Sequence, residues 1–262
     1  MGLKGRFPFR IGTTSFVLPS DIQTNVEYLA GKVDDIELVL FESDDTAELP
    51  DKGTVEVLRS IAVRDNLTYT VHLPLDIRLG DTDQAERSRS VNKCLRVMER
   101  MDTLNPFAYI LHCDGNGFGD SPSDHCAVWQ NAVEKSIDQI LGSGAAPENI
   151  CIETLDYPFE LIEQIVESKG LSVCLDIGHI QREGHSVPDY LSRYLKYCRV
   201  IHLHGITQGK DHCALSKMDK ALLTQLFSQL GSDTTHERVV TLEVFTTTAF
   251  DRSLSVIKEI LP

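Results

Sequence analysis

The sequence predicts a single (β/α)8 barrel spanning residues 1–262. Three observations point to it: eight short apolar or β-branched runs, an amphipathic helical pattern in most gaps between them, and no composition break dividing the chain. The first run, Arg10–Ser15, precedes a helix over Asp21–Lys32, and Ile36–Glu42 precedes Val55–Asp65. Leu67–Leu75 leads to Gln84–Asp102. Phe107–Asp114 leads to Ser123–Leu141, where Val128, Ala132, Val133, Ile137, Ile140 and Leu141 recur at helical spacing. Asn149–Leu155 is followed by Phe159–Lys169, and Leu171–Gly178 by Val187–Lys196. Arg199–Gly205 is followed by Asp219–Gln229, and Val239–Phe245 by Ala249–Ile260. Asp21, Ser123, Ser216 and Thr248 stand where N-caps are wanted, and Gly31, Gly142, Gly170 and Gly231 where helices stop. An open doubly wound sheet is the competing architecture; the regular repeat favours closure.

Composition narrows the function. A hydrophobic content of 42% with 24% charged residues describes a folded chain rather than a disordered one. The formal charge of −14 opposes passive binding to a nucleic-acid backbone, so no nucleic-acid partner is expected. No apolar run is long enough for a membrane span, and Met1–Arg10 lacks the pattern of a secretory signal. The seven cysteines include no CxxC pair and read as reduced thiols. A cytoplasmic protein is expected, and the Asn66 sequon then has no role. The sequence gives no oligomeric state.

Barrel active sites lie at the C-terminal strand ends, and strand side chains alternate faces. In six runs one face is aliphatic and the other carries a metal-ligand type near its end: His72, His112, Glu153, Asp176, His202 and Glu243. His179 follows at the lip of the sixth strand, and His212 lies on the loop after the seventh. One buried histidine is ordinarily a satisfied core residue, and one strand glutamate an ion pair. A ring of six differs, because carboxylates packed together repel unless a cation joins them. Imidazole with carboxylate suits Zn, Mn, Fe or Co as divalent ions. A polar, hydrogen-bonded mouth without metal is the alternative.

Other signals are weaker. Gly115, Gly117 and Gly119 do not open directly into a helix, so a lid or substrate loop fits them better than a dinucleotide site. Thr14 ends the first strand, and its hydroxyl is a candidate phosphate contact; Glu42 ends the second as a substrate contact or an ion pair. Arg78, Arg182 and Lys210 lie on loops of the catalytic face, either neutralising a phosphate or simply solvated. His204 shares the His202 face and is taken as substrate-binding. Trp129 reads as packing.

Strands ending in His, His and Glu, then Asp-x-x-His, His-Leu and a final Glu resemble the xylose isomerase-like barrel superfamily. It includes endonuclease IV-type enzymes and sugar-phosphate isomerases or epimerases. The resemblance implies that His72 and His112 hold one metal, that Glu153 bridges, and that Asp176, His202 and Glu243 hold a second. His179 resembles a ligand of a third, which in the endonucleases also uses an Asp-x-His element. Here Gly209-Lys210-Asp211-His212 sets Asp and His side by side, so only one of them, His212 or Asp211, is expected to carry over. Residues 7–42, FPFRIGTTSFVLPSDIQTNVEYLAGKVDDIELVLFE, are similar to the cobamide-remodelling phosphodiesterases called CbiR.

These likenesses imply a phosphodiesterase with two or more ions, acting on a small-molecule corrinoid at the phosphoester of its nucleotide loop. Glu153, Glu243 and His179 are the expected catalytic residues; Thr14, Glu42, Arg78, His204 and Lys210 are the expected substrate contacts. The alternative is a one-metal sugar isomerase or epimerase with Glu153 and Glu243 as opposed acid and base. A non-catalytic corrinoid-binding module is a third reading.

Overall fold

The computed structural model describes residues 2–40, 49–116, 126–233 and 235–261. Eight parallel strands close a barrel: β1 (Arg10–Thr14), β2 (Asp35–Val39), β3 (Thr68–His72), β4 (Ala108–Leu111), β5 (Ile150–Glu153), β6 (Ser172–Asp176), β7 (Cys198–Leu203) and β10 (Val239–Leu242). The helices are α1 (Ile22–Leu29), α2 (Lys52–Asp65), α3 (Gln84–Met101), α4 (Cys126–Leu141), α5 (Glu160–Lys169), α6 (Ile177–Arg182), α7 (Val187–Tyr194), α8 (Lys220–Ser232) and α9 (Thr247–Ile260). An antiparallel hairpin, β8 (Gly205–Thr207) and β9 (Lys210–Cys213), stands on the loop after β7. Among the described residues no helix is long and apolar enough to cross a membrane.

Period-two alternation produces two cores. Outward side chains such as Ile36, Leu38, Val71, Leu111, Ile152, Leu175, Ile201 and Leu242 pack with the helices. Inside the barrel, Phe107, Ala108, Ile110, Cys151, Cys174, Val200 and Val239 form a smaller apolar plug. Polar side chains stack above and beside this plug. All seven cysteines are unpaired.

Local chemistry sets the helix ends. Asp21 accepts from the Thr24 amide, Asp51 from Thr54 and Asp83 from Ala85. Gly170 closes α5 in the left-handed region at φ 68°. Two expected caps are displaced. Asp219 caps α8 rather than Ser216, because Leu215–Lys217 is spent in a 3-10 turn, and Thr246 rather than Thr248 caps α9. Gly231 lies inside α8 rather than beyond it. Ser123, Gly117 and Gly119 lie outside the described residues.

Candidate metal centre

The ring is built on Glu153, the last residue of β5. Its Oε2 lies 2.8 Å from His112 Nε2 and 3.4 Å from His72 Nε2; its Oε1 lies 3.2 Å from His202 Nδ1 and 3.8 Å from His179 Nδ1. One buried carboxylate therefore faces two poles. At the first pole, His72 Nδ1 donates to the Leu73 carbonyl at 2.8 Å. A carbonyl only accepts, so that contact fixes the proton on Nδ1 and turns Nε2 toward Glu153.

The second pole gathers around His202, which is fully buried. Its Nε2 donates to Glu37 Oε2 at 2.8 Å. Its Nδ1 then faces Glu153 Oε1 at 3.2 Å, Glu243 Oε2 at 3.5 Å and Asp176 Oδ2 at 3.7 Å. Asp176 is held from several sides, since Oδ1 caps α6 by accepting the His179 amide at 2.7 Å. Burial pushes the Glu153 carboxyl up, but His202 and His112 outweigh it and hold it well below the usual range. Burial also raises Asp176, and His179 and His204 outweigh it. Burial opposes protonation of His72, yet Glu153 and then Glu37 raise its pKa to about 9. Without an ion, protons bridge these groups.

A third group forms at the lip, where His179, Asp211 and His212 bring ligand atoms within 4.8 Å of one another. Both members of the Asp-His pair thus reach His179, where adjacency led us to expect one. The reason is a β-bulge. Gly205 pairs with Cys213 and Thr207 with Lys210, so Asp211 and His212 together oppose the single residue Ile206. His212 adopts φ 49°, in the left-handed region.

The donor set fits divalent cations. Nδ1 of His179, 3.4 Å from Asp176 Oδ2, and Nδ1 of His212, 3.4 Å from Glu243 Oε2, are buried in contacts that make no well-formed hydrogen bond, and such loosely satisfied buried polar atoms are costly unless something joins them. His72, His112 and Glu153 also have ligand atoms within 4.8 Å of one another. Cys174 Sγ lies near Glu153 and His202, but burial holds that thiol well above its ordinary pKa, which disfavours a thiolate ligand.

A cavity of about 480 Å³ opens above the ring, with Phe16, Val39, Leu75, Leu155 and Phe245 as its apolar wall. Arg182 lines it too, paired with Asp211 at 2.8 Å, with Glu183 at 3.0 Å and with Asp156. The expected substrate contacts are placed elsewhere. The Thr14 hydroxyl is buried and donates to the Val244 carbonyl at 2.7 Å, which commits it to closing the barrel. Arg78 is half-buried beside α3, where its amide donates to Ser90 Oγ, and does not line the cavity. Lys210 is exposed on the hairpin, away from the cavity wall. His204 is wholly buried behind Asp176 rather than facing the cavity. Glu42 lies outside the described residues. Sequence reasoning missed Glu37, although the signal was there: Ile36 and Leu38 face out, so Asp35 and Glu37 face in.

A closed barrel whose C-terminal mouth carries clustered imidazoles and carboxylates defines a class, the (β/α)8 proteins with a mouth that could hold divalent ions. The chain belongs to the xylose isomerase-like TIM barrel family, whose sequence profile matches residues 30–260. A probable endonuclease 4 from Malacoplasma penetrans (strain HF-2) is 26% identical over 153 residues, which is 51% of this chain and 51% of that protein. The match thus spans about half the length of that relative. A D-tagatose 3-epimerase-like protein superposes with a TM-score of 0.75 at 18% identity over 97% of both chains. A 3-keto-D-glucoside 4-epimerase from E. coli gives 0.70 at 12% identity over 96% of this chain and 98% of that one. At these identities the structural likeness is one of fold. The named relatives are enzymes.

Proposed function

We propose that the protein is a metal-dependent phosphodiesterase acting on the phosphoester linkage in the nucleotide loop of cobamides. The observation that carries the hydrolase reading is the double facing of Glu153, with one oxygen toward His72 and His112 and the other toward His202. The corrinoid itself rests on the likeness of residues 7–42 to CbiR enzymes.

In this reading His72, His112 and Glu153 hold one ion, and Glu153, Asp176, His202 and Glu243 another. Divalent ions supply a lowered pKa for water and positive charge opposite the phosphoryl oxygens. The protein's own groups do the rest. Glu37 and the Leu73 carbonyl fix which ring nitrogens of His202 and His72 face inward. Glu243 would take up the proton released by the attacking water through the carboxylate oxygen that does not hold the ion. With no ion at the lip, His179 Nδ1 faces the same space and would return a proton to the leaving oxygen. The apolar wall shields the reacting centre from bulk water.

A second reading, a one-metal sugar epimerase, is favoured by the structural likeness to epimerases and by the Glu153–Glu243 pair. The deciding experiment incubates metal-loaded enzyme anaerobically with an adenosylated cobamide and follows products by mass spectrometry. A corrinoid without its nucleotide base is expected. An unchanged cobamide, with turnover of a ketose, would move the protein to the epimerase class.

A further inference from the structure

His204 stands where the sequence suggested a substrate contact, yet its ring is sealed from the cavity. Both of its nitrogens are engaged. Nε2 lies 3.1 Å from Asp176 Oδ1 and 3.3 Å from Oδ2. Nδ1 accepts the backbone N–H of His212 at 3.0 Å. An acceptor nitrogen carries no proton, so the proton of the neutral ring sits on Nε2 and is donated to the carboxylate. The ring rests flat on the backbone at Gly178, where an added Cβ would approach its Cε1 to 2.1 Å. Any side chain there would evict the ring, so Gly178 supplies its seat.

What Nδ1 holds is an unusual stretch of chain. Consecutive strand residues point to opposite faces, and Asp211 and His212 escape this only through the bulge and the left-handed backbone of His212. That conformation is unfavourable for a residue with a Cβ, and something must hold it. The hairpin tip does not. Gln208 and Gly209, at φ 51° and 76°, make a turn that fixes the far end. The His204 bond acts at the bulge itself.

We propose that His204 is a positioning residue, which pins the His212 backbone in its bulge so that Asp211 and His212 both reach His179, and which ties this arm to Asp176 beneath. Its clause about an ion at the lip rests on the metal reading given above; the clamp does not. The ring joins two groups that would hold different ions, so displacement of the hairpin is felt at Asp176 and the reverse.

Two variants separate the two contacts. His204→Asn keeps an acceptor on the γ carbon, opposite the His212 amide, but falls short of Asp176. His204→Gln places a donor toward Asp176 and removes that acceptor. Amide exchange at His212 is read by NMR in the metal-free protein, with tryptic cleavage after Lys210 as a second measure of hairpin opening. Loss of one hydrogen bond is expected to speed exchange and cleavage about tenfold in His204→Gln, with His204→Asn close to wild type. Titration with Zn²⁺ should show about tenfold weaker binding of the lip ion in His204→Gln alone. Long-range 1H–15N spectra of the wild type need no substitution, and should show a proton on Nε2 and none on Nδ1 of His204. A proton on Nδ1, or equal exchange at His212 in wild type and His204→Gln, overturns the clamp. If exchange changes as expected while the wild type takes up no lip ion, the clamp stands and the metal reading of that site fails.

Discussion

Replacing Asp35 with Asn should stabilise the barrel, and by more at higher pH. Asp35 opens β2 and is wholly buried inside the barrel. Its Oδ2 accepts from Thr68 Oγ1 at 2.5 Å, and its Oδ1 has no hydrogen-bond partner. Burial is the main cause that pushes this carboxyl up to about 7; the Thr68 and Thr70 hydroxyls pull it partly back, and Glu37 pushes it further. The folded pKa lies above the unfolded one, so the group costs nothing below about 3.8 and progressively more as pH rises to about 7. A rise from 3.8 to about 7 corresponds to about 4 kcal/mol at neutral pH and above. The amide is isosteric and neutral, and about 1 kcal/mol is allowed for poorer hydrogen bonding. A net gain of about 3 kcal/mol at pH 8 follows, vanishing at pH ~4.5 and turning into a loss of up to about 1 kcal/mol below that. Urea unfolding of EDTA-treated wild type and Asp35→Asn, from pH 4 to 8.5, measures the difference directly. At a denaturant slope of about 3 kcal/mol/M, the midpoint at pH 8 should rise by about 1 M. A difference that does not vary with pH, or a variant less stable at pH 8, refutes the assignment of an ionised, poorly partnered Asp35.

Three further outcomes are expected. Glu153→Ala should keep the barrel by circular dichroism but lose at least about 90% of turnover, since it faces both poles; His112→Ala should be as severe for a hydrolase and mild for a one-metal epimerase. In the metal-free protein, protonated His72 contributes stability that is full below about 6.5 and lost as pH rises through about 9. Ion uptake at its pole must displace that proton, so calorimetry at pH 7 in buffers of different ionisation heat should show proton release, and affinity should fall with falling pH. Abasic duplex DNA should be incised poorly, because a chain of charge −14 lacks the counterion-release contribution; efficient, salt-sensitive incision at nanomolar enzyme would contradict this.

The barrel was legible because its grammar is periodic. Cys151 and Glu153 against Ile150 and Ile152, or Thr241 and Glu243 against Val240 and Leu242, announce an inner and an outer face without any tertiary knowledge. The same rule reaches Glu37, which lies between the outward-facing Ile36 and Leu38. Glu42, at the end of the expected run, lies outside the described residues. The hairpin was not legible. Gln208-Gly209 is a readable turn, but a histidine held at positive φ by another histidine's ring leaves no local mark. Thr14 failed for a related reason. A hydroxyl at a strand end satisfies a neighbouring carbonyl as readily as a ligand, and the sequence does not show that Val244 is there.

Electrostatics bears on how such a mouth meets a phosphate. Asp114, Glu153, Asp156, Asp211 and Glu243 all line the cavity, and among the described residues Arg182 is the only arginine or lysine that does. Its guanidinium is already engaged by Asp156, Asp211 and Glu183, so its charge is more than offset where it stands. In the proposed reading, positive potential at the reacting centre would come from ions rather than from arginine or lysine. An ion would enter the first pole by displacing the proton that otherwise bridges His72 to Glu153. A substrate with one diester charge and an otherwise neutral body meets less repulsion in this mouth than a dianionic phosphomonoester does. The apolar wall from Phe16 to Phe245 offers that body a surface needing no counter-charge. A monoanionic or neutral ligand therefore meets less repulsion here than a sugar phosphate, which is compatible with the proposed cobamide and equally with a neutral sugar, the two that the product analysis is designed to separate.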